Sequence, residues 1–555
     1  SCSTSAAQAS LPRRDTSSAA LRHGRPRALP GFWKSCAGRA TVTIDPKVLL
    51  TARDTEMAVP LTVDTDRVRR EVAVQLVSDR RAEWGQFMTP APIARLMAGL
   101  FPSGSGSECR LLDAGAGVGS LTAAFLDRCI AGELRFRRIH VDAYEIDPVI
   151  RARLAETLDV YRMGLGVEAR IHDADFIRAA VDVLAGSLFA ESLPRFTHAI
   201  LNPPYRKIRS DSPERAFLRS VGIETVNLYS AFVALALALL RRGGHLVAII
   251  PRSFCNGPYY KPFRCFMLRQ AALRCVHLFD ARDRAFKDDG VLQENVILLL
   301  ERGGHQGDVR FSRSADGLCA DWTERLLQFE QVVHPSDPER FIRLPLSEFS
   351  ARLSASSRFR RTLCDLDVEV STGPVVDFRM KDDLRRMPEE GAVPLLYPAH
   401  FRDGGMQWPK DGFRKWNAIA HNGRTERWLF PAGFYVAVRR FSAKEERRRV
   451  VAGVVDPGGL AGATVIGFEN HLDVFHRRRE GLPEPLARGL AGFLNSSVFD
   501  EAFRAFNGHT QVNATDLRQM KYPSLESLVA LGRWAKAHPQ AGQLEIDAQV
   551  GALMA

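Results

Sequence analysis

Residues 110–120, Arg110-Leu111-Leu112-Asp113-Ala114-Gly115-Ala116-Gly117-Val118-Gly119-Ser120, decide how the rest of this 555-residue chain is read. A short apolar run carries an acidic residue and then breaks into three glycines spaced G-x-G-x-G. Glycine lets a backbone turn sharply from strand into helix and come close to a ligand. The spacing departs from the G-x-G-x-x-G of a pyrophosphate loop, and the acidic residue opens the motif instead of only following it. The pattern predicts a buried strand over residues 110–114 and a helix through Phe125 and Leu126.

The same alternation continues outward. Strands are expected over residues 140–146, 196–201 and 245–250, with a buried helix over 227–240. Upstream, residues 65–83 show one apolar helical face and lead into Gly85-Gln86-Phe87-Met88-Thr89-Pro90. There Thr89 reads as an N-cap with Pro90 at the first helical position. The helix that follows carries Ile93, Leu96, Met97 and Leu100, and the Ser/Gly stretch 103–107 reads as a turn. Strands alternating with helices imply a mainly parallel sheet covered on both faces, with ligands beyond the carboxyl ends of its strands. Past residue 305 the alternation fades. Residues 340–525 are rich in Arg, Trp, Phe and turn residues without a repeat period. The organisation expected is therefore a disordered or non-native extension over 1–56 with Met57 as the natural start, a catalytic domain over 57–305, a second domain of mixed structure over 306–525, and a helical tail over 526–555.

Composition narrows the function classes. The formal net charge is +12, which suits a polyanionic partner. The nine cysteines are scattered with no C-x-x-C pair, so no structural metal is expected and a reduced, cytoplasmic setting is. No apolar run approaches the ~20 residues of a membrane-spanning helix.

Glu145 closes the strand after the glycine loop, thirty positions past Gly115, where a carboxylate can accept both hydroxyls of a ribose. The sharpest signal is Asn202-Pro203-Pro204-Tyr205 after the apolar strand 196–201. Two prolines enforce a rigid, extended turn, which fixes the Asn202 side-chain oxygen and the Pro203 carbonyl as acceptors. An exocyclic aromatic amine is a poor nucleophile because its lone pair is delocalised. Two acceptors aimed at its protons favour a more tetrahedral nitrogen and hold it in line with an electrophile. Tyr205 offers an aromatic face to the target base.

The G-x-G-x-G loop resembles the cofactor loop of class I methyltransferases, in which an acidic residue such as Asp113 suits a cationic methionine amine. Taken in order, GQFMTP (85–90), LLDAGAGVGS (111–120), YEID (144–147), DADF (173–176) and NPPY (202–205) resemble the gamma-class, TaqI-like amino-methyltransferases of type II restriction–modification systems. The similarity covers most of residues 65–305. It continues more weakly to about 523 through VSTGPVVDF (370–378) and GHTQVNATDL (508–517). The resemblance implies an α/β, Rossmann-like class I methyltransferase fold with a C-terminal mixed α/β target-recognition domain. It implies S-adenosyl-L-methionine as cofactor, held by Thr89, Asp113, Gly115, Gly117, Glu145, Ile146, Asp175 and Phe176. It implies Asn202, Pro203, Pro204 and Tyr205 as the catalytic segment, and Phe286 beside Tyr205 as a stacking partner of the extruded base. The reaction implied is methylation of adenine N6 in duplex DNA, with a separately encoded restriction endonuclease as a possible partner.

A base must leave the stack before its Watson–Crick amine can react, so a second domain must hold the remaining duplex. Arg439, Arg440, Arg447, Arg448, Arg477 and Arg478 are the phosphate-binding candidates, with Trp408, Trp416, Trp428 and Tyr435 among further basic residues. Other readings are methylation of an RNA base or a protein glutamine, and a silent DNA-specificity subunit. The basic region after the catalytic one argues against the first two, and the intact Asp113, Glu145, Asn202 and Tyr205 against the third.

Overall fold

The computed structural model describes residues 61–75, 88–186, 195–279, 294–316, 319, 321–344, 359–402, 405–442, 446–507 and 511–554. Phe286, Phe87 and residues 1–60 lie outside the described residues. The first part of the chain runs α1 (Leu61–Gln75), α2 (Ala91–Gly99), β1 (Gly104–Ala114), α3 (Ser120–Ile130), β2 (Leu134–Tyr144), α4 (Pro148–Leu165), β3 (Glu168–His172), α5 (Phe176–Ala185) and β4 (Phe196–Leu201). It continues through α6 (Pro213–Ser220), α7 (Leu228–Leu239), β5 (Leu240–Pro251), α8 (Lys261–Gln270), β6 (Ala271–Phe279), β7 (Asn295–Arg302), β8 (Val309–Ser314) and β9 (Thr323–Leu327).

The strands form one sheet in the order β3-β2-β1-β4-β5-β7-β6-β8-β9. β1 to β5 are parallel, and β7 inserts antiparallel between β5 and β6. This is the class I methyltransferase arrangement, and its strand order reverses between β1 and β4. Alternate side chains of β1 enter opposite layers: Leu112 and Ala114 join the core beneath α5 and α7, while Cys109 and Leu111 join the core beneath α2 and α3. A strand buried on both faces is apolar on both, as Cys109, Leu111, Leu112 and Ala114 are here, with the buried Asp113 as the exception.

Several expectations shift. β1 begins at Gly104, not at 110, because β2 offers a parallel partner of matching length from Leu134 onward. The Ser/Gly stretch read as a turn is therefore exposed strand, held by pairing and not by propensity. β2 stops at Tyr144, so Glu145 and Ile146 stand in the loop beyond it. The sheet also runs on through β8 and β9, so the boundary expected at 305/306 falls inside the first sheet.

The second part is mixed α/β, as expected. An antiparallel four-stranded sheet (Glu369–Thr372, Leu472–His476, Tyr435–Arg439, Ala452–Val455) stands with a separate five-stranded one. Helices Glu484–Leu494, Ser497–Phe506 and Leu525–Ala537 share a core with the four-stranded sheet, to which Val436, Phe475, Leu490, Phe503, Leu528 and Leu531 contribute. Helix Leu525–Ala537 is thus part of that core and not an appended tail.

Candidate active site

The turn after β1 needs left-handed backbone at Gly115, Gly117 and Gly119, with φ of 79°, 57° and 87°. Side chains with a Cβ rarely adopt such angles. The Gly115 and Ala116 amides donate to the Tyr144 carbonyl at 3.0 and 2.9 Å, tying the loop to the end of β2. Glu145, just past β2, accepts the Gly117 amide on one carboxylate oxygen at 3.0 Å and the Asp147 amide on the other at 2.9 Å. Burial raises its pKa, and these backbone donors oppose that rise. The orientation of the carboxylate is therefore set before any ligand arrives.

Asp113 lies beneath the loop, fully buried. One oxygen accepts the Thr122 hydroxyl at 2.6 Å; the other finds no hydrogen-bond partner among the described residues. Burial pushes its pKa up to about 7. The hydroxyl of Ser120, at the start of α3, is likewise buried without a partner there. Buried polar atoms are nearly always paired, so two such oxygens at one loop mark where a polar ligand belongs.

Those elements open onto one cleft with about 1130 Å³ of empty space, part of it open to solvent. Met88, Thr89, Gly115, Gly117, Ser120, Glu145, Ile146, Asp175, Phe176, Asn202 and Pro204 all line it, so five separated sequence motifs converge. Asp175 caps α5 by accepting the Arg178 amide at 3.0 Å. Phe176 packs edge-on to Tyr144 and tilted on Phe232, with ring centroids 5.1 Å away in each case. The cleft thus has an apolar, aromatic end and a polar end at the glycine loop.

Asn202 follows β4, across the switch point from the glycine loop. Its side-chain amide donates to the Thr89 hydroxyl at 3.0 Å. The Tyr205 hydroxyl lies 3.1 Å from the Asn202 side-chain oxygen and 3.3 Å from the Ile249 carbonyl on β5. Burial pushes the Tyr205 phenol well above its ordinary value, so it stays a neutral donor. Its ring meets Tyr229 edge-on at 6.1 Å. Ser120, Arg206, Glu214 and Phe232 also line the cleft and were not anticipated. Ser120 closes the glycine motif and was within reach of the sequence reading. Phe232 was concealed in an apolar run that reads only as a buried helix.

Of the six arginines expected to bind phosphate, Arg447 and Arg478 are exposed. The others hold the fold: Arg439 pairs with Glu446, Arg440 and Arg448 donate to the carbonyls of Asn470 and Asn495 at 2.7 Å, and Arg477 pairs with Asp367 at 2.9 Å. Tyr435 is buried, and the Trp416 and Trp428 rings are covered by Arg386 and Arg427. Among the described residues, no helix is long and apolar enough to cross a membrane, and no cluster of His, Cys, Asp and Glu is placed to hold a metal ion.

The sequence profile of the Eco57I restriction-modification methylase family matches residues 176–286. The chain is 47% identical to the type II methyltransferase M.BsuBI of Bacillus subtilis over 496 residues, covering 89% of this chain and 97% of that protein. It is 41% identical to the type II methyltransferase M.PstI of Providencia stuartii over 488 residues, 86% of this chain and 94% of that protein. A more distant relative, the type II methyltransferase M.AccI of Acinetobacter calcoaceticus, shares 24% identity over 238 residues, 42% of this chain and 39% of that protein. With the glycine loop and the Asn202 turn facing one cleft, and with identity of this order along nearly whole chains, the protein belongs to the type II methyltransferases of restriction–modification systems.

Proposed function

We propose that the protein is a site-specific DNA methyltransferase that transfers a methyl group from S-adenosyl-L-methionine to N6 of an adenine in duplex DNA, protecting that DNA from a cognate endonuclease. The observation that carries this reading is the placement of Asn202. Its amide is held by Thr89 and Tyr205 in the cleft that the glycine loop and Glu145 also line.

The cofactor fits the polar groups present. In the cleft, Glu145 suits a ribose diol and Asp175 with Phe176 suits an adenine amine and ring; Asp113, buried behind the glycine loop and outside the cleft lining, holds an unsatisfied oxygen that suits a cationic amine. When bound, S-adenosyl-L-methionine supplies an electrophilic methyl on a sulfonium. The chain's own residues do the rest. The Asn202 side-chain oxygen and the Pro203 carbonyl accept the two protons of the target amine, directing its lone pair. The rigid turn costs no reorganisation when charge develops on the nitrogen. Tyr205, and by resemblance Phe286, face the extruded base, whose removal from the stack costs a few kcal/mol. Arg447 and Arg478 are the exposed phosphate contacts of the second domain.

Incubation with tritiated S-adenosyl-L-methionine and mixed-sequence DNA is expected to label adenine at N6; label found only in cytosine or in protein overturns the assignment. Asn202→Ala is expected to abolish methyl transfer while cofactor affinity stays close to the parent's. Near-normal turnover of that variant would remove Asn202 from the mechanism.

A further inference from the structure

We infer that Thr89 is a positioning residue for methyl transfer, its hydroxyl fixing which end of the Asn202 amide faces the reacting nitrogen. This rests on the reading of Asn202 given above.

A threonine just before a helix ordinarily caps it, and Thr89 stands in that place. The structure assigns the capping elsewhere. Pro90 occupies the N-cap position of α2 without a side-chain bond, and the Ala91 amide donates instead to a carboxylate oxygen of Asp66 on α1, at 3.1 Å. Asp66 is itself held by Arg69 at 3.0 Å. The Thr89 hydroxyl, buried at 4% exposure, turns to a residue 113 positions along the chain and accepts the Asn202 amide N–H at 3.0 Å.

The chemistry of a carboxamide makes that contact consequential. Its oxygen and nitrogen ends have nearly the same shape but opposite hydrogen-bonding character. With the oxygen toward the amine, the protons of the target are accepted; with the NH2 toward it, donor meets donor. A hydroxyl has one proton. Thr89 also lines the cleft, so its proton can go to an acceptor there while its lone pair meets the Asn202 N–H. In that state the amide oxygen, which already accepts the Tyr205 hydroxyl at 3.1 Å, is the end that meets the target amine with its second lone pair. Met88, the preceding residue, approaches the glycine loop: its Cγ is 3.5 Å from where a Cβ on Gly117 would sit. Residues 88 and 89 therefore touch the two halves of the site at once.

The test uses the full chain and unmethylated bacterial genomic DNA. It compares single-turnover methylation at saturating S-adenosyl-L-methionine with the cofactor Kd from equilibrium binding. Thr89→Val and Thr89→Ala both remove the hydroxyl, and melting temperatures identify either one that fails to fold. A lost buried hydrogen bond of about 1.4 kcal/mol, felt in the transition state, lowers the rate by roughly 10-fold. That loss is expected with cofactor Kd changed by less than about threefold, and Thr89→Ser is expected to restore most of the rate. Three results overturn the inference: a hydroxyl-free variant as fast as the parent, a loss confined to cofactor Kd, or Thr89→Ser as slow as Thr89→Val. Asn202→Ala is run alongside. If that variant keeps the parent rate, the reading of Asn202 fails; if it is inactive while Thr89→Val is not, only the role of Thr89 fails.

Discussion

At the scale of single residues, the proposed role of Asp113 toward the cofactor comes with a consequence for stability. Its pKa in the folded protein is about 7 against an ordinary value near 3.8, because burial penalises the charged form. A carboxyl raised in this way contributes stability that is fully present below about pH 4. That contribution is lost as pH rises, and is gone above about pH 7. Asp113→Asn is therefore expected to melt higher than the parent at pH 8, with the gap closing toward pH 5, while its affinity for S-adenosyl-L-methionine falls. Melting curves at the two pH values check this, and a gap independent of pH would refute it. The convergence of Glu145 and Asn202 on one cleft was legible in the sequence, because strand ends before proline turns leave few conformations open; Asp113 lies buried behind the loop instead. Thr89 was misread as a cap because capping is a local rule, whereas its hydroxyl answers a residue on another strand. The arginines were harder still. A guanidinium that binds phosphate and one that ties down a loop carbonyl look identical in sequence, and Arg440 and Arg448 each donate to such a carbonyl here.

At the scale of elements, the helices Glu484–Leu494 and Leu525–Ala537 cross backbone to backbone. A Cβ on Gly532 would lie 1.7 Å from the Pro485 carbonyl oxygen, and one on Gly489 would lie 1.8 Å from that of Leu528. Backbone oxygens cannot swing aside as a side-chain tip can, so the helices themselves must separate. Overpacking typically costs 1–3 kcal/mol, and a collision this close belongs at or above the top of that range. Gly532→Ala is expected to lower the denaturation midpoint of the full chain by about that amount, with Gly489→Ala behaving alike. An unchanged midpoint would mean that the helices do not cross so closely. The tail expected over 526–555 is helical, over Leu525–Ala537 and Gln543–Met554, but the sequence does not disclose the partner backbone that Gly532 admits. The catalytic strands were easier, since a parallel strand buried on both faces announces itself as an apolar run. Where pairing and not composition makes the strand, as over residues 104–107, the sequence is silent.

At the scale of the whole molecule, Arg252 joins the chemistry to the second domain. It follows β5, three residues past the Ile249 carbonyl that the Tyr205 hydroxyl approaches. It is 2% exposed, and burial draws its pKa down to about 10. One arm of its guanidinium pairs with Glu294 at 2.8 Å, and the other donates to the carbonyls of Arg504 and Ala505 at 2.6 and 3.0 Å. Those carbonyls end helix Ser497–Phe506, where backbone acceptors lack intrahelical partners and a cation is favoured. The Leu344 amide also donates to Ala505 at 3.1 Å, and Phe341 meets Phe506 edge-on at 5.1 Å. The strand whose Ile249 carbonyl meets the Tyr205 hydroxyl therefore continues into the arginine that clamps the second domain. Only the planar fork of arginine reaches an acid and two carbonyls together. Removing one partner of a buried pair commonly costs about 3–5 kcal/mol, so Arg252→Met is expected to lose stability on that scale, and Arg252→Lys less. Because the clamp sets how the two parts face each other, kcat/KM for duplex DNA is expected to fall further in Arg252→Lys than affinity for S-adenosyl-L-methionine, whose proposed site lies on the other side of β4. Equal losses in both would reduce Arg252 to a stabilising contact with no bearing on how DNA is presented to Asn202.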